Sequence, residues 1–417
     1  MAAEAKQSTA LTSPGYFLPF IIVTALFFIF GFITNLNMAL VPHLRAIFTL
    51  PYAWAMLAES AFFLAYLVFS APTSKLIELI GYKRTMVVSL FIQVIGCLMF
   101  VPAAKMVSFP LFLTAVFVVG AGVTALQTSA NPYVSILGPE SSSSIRLNLA
   151  QAFNSIGGTL APIVAGAYIL SDPAKLASQA AVADTVRMPY ILIAAGLFVL
   201  GLAVAFMHLP HIQQTQAFRP GKEGDPVLGR SIFSYGHTVR GALGIFFYVG
   251  VEVGLASIAV NYFSQQGMST AKTASFLLSL YWFGALVGRL LGAGIMTKVK
   301  AGKLLGIFGF TAAALITLSM FTSGWVAIWT LVLCGFFNSV MFPNIFTLGI
   351  AGLGPLTSKG SGLIMTAVVG GAVIPPLIGA LADKTSIQTS FIIPVICYLY
   401  IAYYGLWGSK PTRTVTA

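Results

Sequence analysis

The stretch that decides the class of this protein runs from Leu304 to Ser358 and reads LLGIFGFTAAALITLSMFTSGWVAIWTLVLCGFFNSVMFPNIFTLGIAGLGPLTS. It contains no charged residue, and it far exceeds the roughly 20 apolar residues with which one α-helix crosses a bilayer. Residues 322–325 (TSGW) are typical of a turn between two apolar runs. The stretch therefore predicts two membrane-spanning helices joined by a short turn.

The whole chain of 417 residues has the composition of a membrane protein. Hydrophobic residues make up 58% and charged residues only 8%, against the ~25% charged residues of soluble domains. The net charge of +12 comes from lysines and arginines scattered among loops. They form no stripe or aromatic platform, which excludes nucleic acid as a partner and fits an anionic lipid surface. The three cysteines and four histidines show no metal-ligand spacing, so we expect no metal and no cofactor.

Apolar runs with at most one charge predict twelve spans. They cover residues 16–42, 52–74, 85–104, 109–136, 147–170, 188–208, 241–263, 274–297, 304–321, 326–353, 360–381 and 387–407. We therefore predict an all-α membrane protein with two pseudo-symmetric bundles of six helices, 16–208 and 237–408. Residues 1–15 and 409–417 are the predicted tails, and 209–236 the linker. The polar start and the long first run argue against a cleaved signal peptide.

The loop charges predict the orientation. An even number of spans puts both termini on one side of the membrane. The loops on that side carry fifteen lysines and arginines, and the opposite loops carry six. Because positive loops stay inside the cell, we predict cytoplasmic termini and a multi-pass protein of the inner membrane.

The two halves repeat short motifs at a similar offset. The sequence LGP occurs at 137–139 and at 353–355, and the pair GG occurs at 157–158 and at 370–371. A parallel repeat of six helices is typical of transporters whose binding site lies between the halves, near the middle of the bilayer.

Two carboxylates lie well inside predicted spans, Glu59 in the second and Glu252 in the seventh. A charge there costs about 2.5–3.5 kcal/mol on insertion scales, so each is a candidate for coupling transport to a cation. The alternative is a structural role, as a partner of Arg289 in the eighth span or as a protonated acid bonded to a neighbouring helix. For Arg289 itself we predict a latch between helix ends.

Four motifs carry a resemblance to a known family. They are QTSANPYVSILGPE at 127–140, RLNLAQAFNS at 146–155, FNSVMFP at 337–343 and TSKGSG at 357–362. In order and over nearly the whole chain, they resemble the fucose/glucose–galactose permease branch of the major facilitator superfamily. The resemblance implies import of a monosaccharide by alternating access, coupled to a proton or sodium gradient, by a chain that functions as a monomer among membrane lipids.

The segment SKLIELIGYKR at 74–84 looks like a degenerate form of the superfamily's loop signature between the second and third spans. A short loop with a glycine, an acid and bases can pair charges across helix ends and hold one conformation. The candidate latch residues there are Glu78, Gly81, Lys83 and Arg84.

The chain departs from the branch at two acidic positions. The fucose permeases carry an acid directly after an Asn-Leu-Asn triplet, and here Met38 follows Asn37. They also carry a glutamate where this chain has Gln127. We expect Glu59 to replace the missing acid of the first span, with Glu252 as the other candidate. An uncoupled sugar facilitator is the alternative.

Amide side chains inside the spans are the predicted sugar ligands, because an amide donates and accepts hydrogen bonds at once. Gln151 and Asn154 match the sugar-binding helix of the resembling family, and their spacing places them on one helical face. The full candidate set is Asn35, Asn37, Gln127, Asn131, Gln151, Asn154, Asn261 and Asn338. Such amides can also act only as contacts between helices. An integral-membrane enzyme or a receptor is a more distant alternative, since no acid–base or metal set converges in the sequence.

Overall fold

The computed structural model describes residues 11–48, 57–168, 185–207, 209, 229–267 and 271–411. Asn37, Met38 and Glu59 belong to helices, but their side chains lie outside the described part of the structure. The helices of the first half are α1 (Phe17–Phe48), α2 (Leu57–Lys105), α3 (Phe109–Ile136), α4 (Ser143–Tyr168) and α5 (Arg187–Phe206).

The second half begins with three long helices, α6 (Gly236–Gln265), α7 (Ala271–Ile295) and α8 (Ala301–Phe321). It continues with shorter ones, which are α9 (Gly324–Asn338), α10 (Met341–Ile350), α11 (Thr357–Thr366), α12 (Gly370–Lys384), α13 (Ile387–Ser390) and α14 (Ile392–Tyr403). The π-helical segment Tyr404–Gly408 closes the last span.

Helix α2 contains two spans rather than one. At about 1.5 Å per residue its 49 residues would extend about 74 Å, more than twice the ~30 Å hydrocarbon core. Its direction changes at Gly81, where φ is +82°, a conformation that glycine adopts without a steric penalty. The predicted loop 75–84 is therefore helical except at Gly81, since residues 75–80 are largely good helix formers.

Three spans of the second half consist of more than one helix. Helices α9 and α10 form one, α11 and α12 form another around the 3₁₀ turn Ala367–Val369, and α13 and α14 belong to the last. Together with the two spans of α2, this gives the twelve predicted spans. The predicted turn at 322–325 is also present, since α8 ends at Phe321 and α9 begins at Gly324, where φ is +62°.

The repeated glycines perform the same packing task in both halves. A Cβ added at Gly157 in α4 would overlap the carbonyl oxygen of Phe28 in α1. A Cβ added at Gly370 in α12 would overlap the carbonyl oxygen of Phe246 in α6. The fifth span thus contacts the first span of the first half, and the eleventh span contacts the first span of the second half, in each case at a glycine that lets the two backbones approach closely. The sequence repeat is therefore also a structural repeat.

Candidate functional site

A cavity lies between the two halves, about half-way along the helices. Its volume is about 140 Å³, roughly ten times what one buried water needs. The first half lines it with Phe30, Thr34, Asn35, Phe62, Phe63, Tyr66, Gln127, Gln151, Asn154, Ser155, Gly158 and Thr159. The second half lines it with Tyr248, Val249, Glu252, Val253, Trp282, Arg289, Phe342 and Val368.

The four amides among the described lining residues all come from the first half. Gln127 donates a hydrogen bond from Nε2 to the Tyr66 hydroxyl at 2.7 Å. Asn35 donates to the carbonyl of Gly31 at 2.9 Å. These two bonds leave the amide oxygens of both side chains as acceptors toward the cavity.

Helix α4 supplies the other two amides from one face. Gln151 is buried and Asn154 half-buried, and both line the cavity. Asn154 donates a long hydrogen bond, 3.4 Å, to the carbonyl of Phe27 in α1. The close approach of α1 and α4 at their glycines therefore brings the amides of both helices into one cavity.

Glu252, from the second half, is the acid among the described lining residues. The Tyr248 hydroxyl donates to its Oε1 at 2.6 Å from one helical turn away. Trp282 and Phe342 add aromatic surface beside it. The sequence carries no local signal for these three aromatic residues, because 13% of the chain is aromatic and no pattern distinguishes one ring from another.

Arg289 connects the halves across the floor of the cavity. Its Nη1 donates to the Gln151 carbonyl at 3.1 Å and to the Ser155 hydroxyl, both in α4. Its Nε donates to the Ser339 carbonyl of its own half at 3.2 Å. Arg289 thus ties helices of both halves together while it lines the same cavity as Glu252.

Other predicted ligands lie elsewhere. Asn131 is buried against Met365 of the other half, with 3.6 Å between Nδ2 and Sδ. Asn338 donates to the Tyr281 hydroxyl at 2.6 Å inside the second half. Asn261 lines a separate cleft near the end of α6. The structure therefore gathers Asn35, Gln127, Gln151 and Asn154, and it separates the other three described candidates from them.

Below the cavity the halves are in contact at the end of the bundle that carries the linker, here called the linker end. Asn148 Nδ2 lies 2.9 Å from Asn344 Oδ1, and the Ser144 and Thr347 hydroxyls lie 2.6 Å apart. On the other side of the interface, the Ser361 hydroxyl donates to the Thr128 carbonyl at 2.8 Å. The cavity is therefore closed toward the linker end.

The candidate latch loop takes part in this closure. The Ser358 hydroxyl of the second half donates to Glu78 Oε1 at 3.0 Å. Lys83 donates to the carbonyl of Ala205, at the end of α5, at 2.8 Å. Arg84 is exposed.

The model of the family described as the Major Facilitator Superfamily matches residues 22–368. This chain belongs to the major facilitator superfamily. It is 45% identical over 392 residues to the glucose/galactose transporter of Brucella abortus, with 93% of each chain covered. It is 31% identical over 426 residues to the L-fucose-proton symporter of Escherichia coli, with 98% of this chain and 97% of that protein covered.

Solved structures agree with this assignment. The superfamily transporter FucP in its outward conformation superposes with a TM-score of 0.85 and 30% identity, over 95% of this chain and 99% of FucP. The proton:xylose symporter XylE shares the fold, with a TM-score of 0.70 and 16% identity over 94% and 93% of the two chains. The predicted twelve-helix fold and the resemblance to the fucose/glucose–galactose permease branch are confirmed, and the protein is a transporter rather than an enzyme.

Proposed function

We propose that this transporter imports a monosaccharide of the glucose/galactose type together with a proton, by alternating access. The observation that carries the proposal is the cavity between the halves, which combines four amides, several aromatic rings and one carboxyl group. The similarity to the glucose/galactose transporter of Brucella abortus over 93% of both chains supports the sugar class.

The lining chemistry suits a neutral polyol. Each sugar hydroxyl both donates and accepts a hydrogen bond, as each amide of Asn35, Gln127, Gln151 and Asn154 does. Aromatic rings such as Trp282 and Phe342 offer flat apolar surface to the less polar faces of a sugar ring. Because the amides lie on one side of the cavity and these two rings on the other, a sugar between them would contact both halves.

Glu252 is the proposed coupling group. It is the acid among the described lining residues, and neither Met38 nor Gln127 can supply one at the two positions where the fucose permeases carry acids. Because Arg289 lines the same cavity and bonds to both halves, protonation of Glu252 would weaken the attraction between the two side chains. A proton could in this way alter the contacts between the halves. Glu59 is the second candidate, and sodium is the alternative ion.

The closed linker end supports a proposal for the state of the molecule. If the linker lies in the cytoplasm, as the loop charges predict, the cavity in this structure faces the opposite, outer side of the membrane. The superposition on FucP in the outward conformation supports this orientation. Each chain contains a whole cavity, so we propose that the monomer is the functional unit.

Uptake of radiolabelled hexoses by cells without their own hexose transporters tests the proposal. The parent should accumulate glucose or galactose, and an imposed pH gradient should drive it without sodium. Gln151→Ala and Asn154→Ala should each weaken uptake about 5- to 150-fold, since about 1–3 kcal/mol is lost when a buried polar partner is stranded. Thr311→Ala, on the lipid side of α8, is the matched control. Equal uptake by parent and empty cells for every hexose would refute the proposed function, and uptake without accumulation would identify a facilitator.

A further inference from the structure

A second, larger cleft lies at the end of the bundle opposite the linker, here called the far end. Its volume is about 980 Å³, against about 140 Å³ for the central cavity. Its walls are the far-end portions of α6 and α12, with Ser60 of α2 at one side. It adjoins the central cavity, because Gly371 lines the cleft and packs against Phe63, which lines the cavity.

The α6 wall of this far-end cleft carries a polar stripe. Ser257, Asn261, Ser264 and Gln265 are spaced four, three and one residues apart, which places them on one helical face. The Ser257 hydroxyl donates to the carbonyl of Val253 in its own helix at 2.8 Å. Lipid cannot satisfy the amides of Asn261 and Gln265, so these two side chains turn toward water, protein or a ligand. Asn261 and Gln265 are exposed in the cleft, and their amides can donate and accept there.

The α12 wall contributes acceptors and leaves space. Pro375 and Pro376 have no N–H, so the carbonyls four residues earlier, of Gly371 and Ala372, lose their usual helical donors. All four residues line the cleft. The exposed carboxylate of Asp383 adds a further acceptor at the mouth of the cleft.

Gly379 shows that the space beside this wall is open. A Cβ added there would meet no atom within 4 Å, although the residue lies in the middle of α12 and lines the cleft. The far-end cleft is thus an open space with amides on one wall and hydrogen-bond acceptors on the other.

We propose that the far-end cleft is an outer subsite, at which a monosaccharide is held briefly before it reaches the central cavity. This inference rests on the proposed function. Backbone carbonyls, a carboxylate and two amides suit a solute that carries many hydroxyl donors, and Asp383 disfavours an anion. The lining residues in the described part of the chain include no aromatic ring, so sugar is held more weakly here than in the central cavity.

Thiol labelling tests occupancy of the subsite. Cys97, Cys334 and Cys397 are buried, so an impermeant thiol reagent should report on an introduced Gly379→Cys. Millimolar glucose or galactose should slow this labelling severalfold. Protection should persist when Gln151→Ala is added and disappear when Asn261→Ala is added. The inference is overturned if sugar gives no protection, or if Gln151→Ala abolishes protection while Asn261→Ala leaves it.

A filled cleft tests the contribution of the subsite to uptake. Gly379→Leu should place a side chain in the open space and lower the initial uptake rate at low sugar concentration at least fivefold. Equilibrium binding in the central cavity should be unchanged. Gly196→Leu is the matched control, because Gly196 also has no atom within 4 Å of an added Cβ but lies on the exposed face of α5. Equal uptake by both variants would refute the inference, whereas a parent without sugar uptake would instead refute the proposed function.

Discussion

Asn148 in the first half and Asn344 in the second share a hydrogen bond of 2.9 Å across the interface that closes the linker end. The Ser144 hydroxyl, one turn earlier in α4, lies 2.6 Å from that of Thr347. Hydrogen bonds of this kind contribute about 0.5–1.5 kcal/mol each. The closed interface is therefore held by contacts weak enough to be broken and remade in every transport cycle.

A disulfide between positions 144 and 347 should lock the linker end. Because the two hydroxyl oxygens lie 2.6 Å apart, the corresponding Cβ atoms are within reach of a disulfide bond. Oxidation of the double variant Ser144→Cys/Thr347→Cys should abolish sugar uptake, and a reductant should restore it. The two single variants serve as controls. A protease cut in the linker verifies the cross-link on a non-reducing gel, and uptake by the fully cross-linked protein would show that this end does not open.

Glu252→Gln should separate exchange from accumulation. Glutamine keeps an oxygen to accept the hydrogen bond of Tyr248, but it cannot take up a proton. Counterflow of labelled sugar should continue near the parent rate, while the accumulation ratio under a proton gradient falls to about one. Glu59→Gln is measured in parallel. If Glu252→Gln accumulates sugar normally and Glu59→Gln does not, Glu59 is the coupling group.

Alanine at either repeated glycine should destabilise its own half. The added Cβ at Gly157 or Gly370 would overlap a backbone carbonyl oxygen, which cannot move away as a flexible side chain can. Overpacking of this kind costs about 1–3 kcal/mol. We expect a lower midpoint of thermal unfolding in detergent for both variants. Gly196→Ala, with open space at its Cβ, should unfold at or slightly above the parent temperature, because alanine is the better helix former. Unchanged midpoints at 157 and 370 would mean that the paired helices are looser than described.

The orientation of the protein can be measured with one cysteine at each end. Gly229→Cys, in the described part of the linker, should react with an impermeant reagent in inside-out vesicles and not in intact cells. Gly379→Cys in the far-end cleft should show the reverse. Reaction of Gly229→Cys in intact cells would invert the topology and make the structure an inward-open state.

The fold was predictable because lipid imposes a simple rule on sequence. Each span must satisfy its backbone internally, so its length and lack of charge appear directly in the chain. The span 109–136 was predicted with the bounds of α3. The boundary near Gly81 was less predictable, because residues 75–80 favour a helix whether or not a loop is needed there.

The site was only partly predictable, for a geometric reason. Gln127 and Asn131 share one face of α3, yet Gln127 lines the cavity and Asn131, one turn nearer the linker end, is buried against Met365. Helical spacing identifies the face that a residue occupies. It does not identify the depth at which the two halves touch, because that depth depends on packing between distant parts of the chain.

Among the described residues that line the cavity, the four amides come from the first half and the two charged groups, Glu252 and Arg289, from the second. Glucose and galactose differ in the orientation of a single hydroxyl group, so a change of preferred sugar needs only a rearrangement of hydrogen-bonding partners. Such changes can accumulate in the first half during evolution while the acid and the base stay as they are. Related transporters can therefore differ in sugar specificity while they keep the same charged residues for coupling.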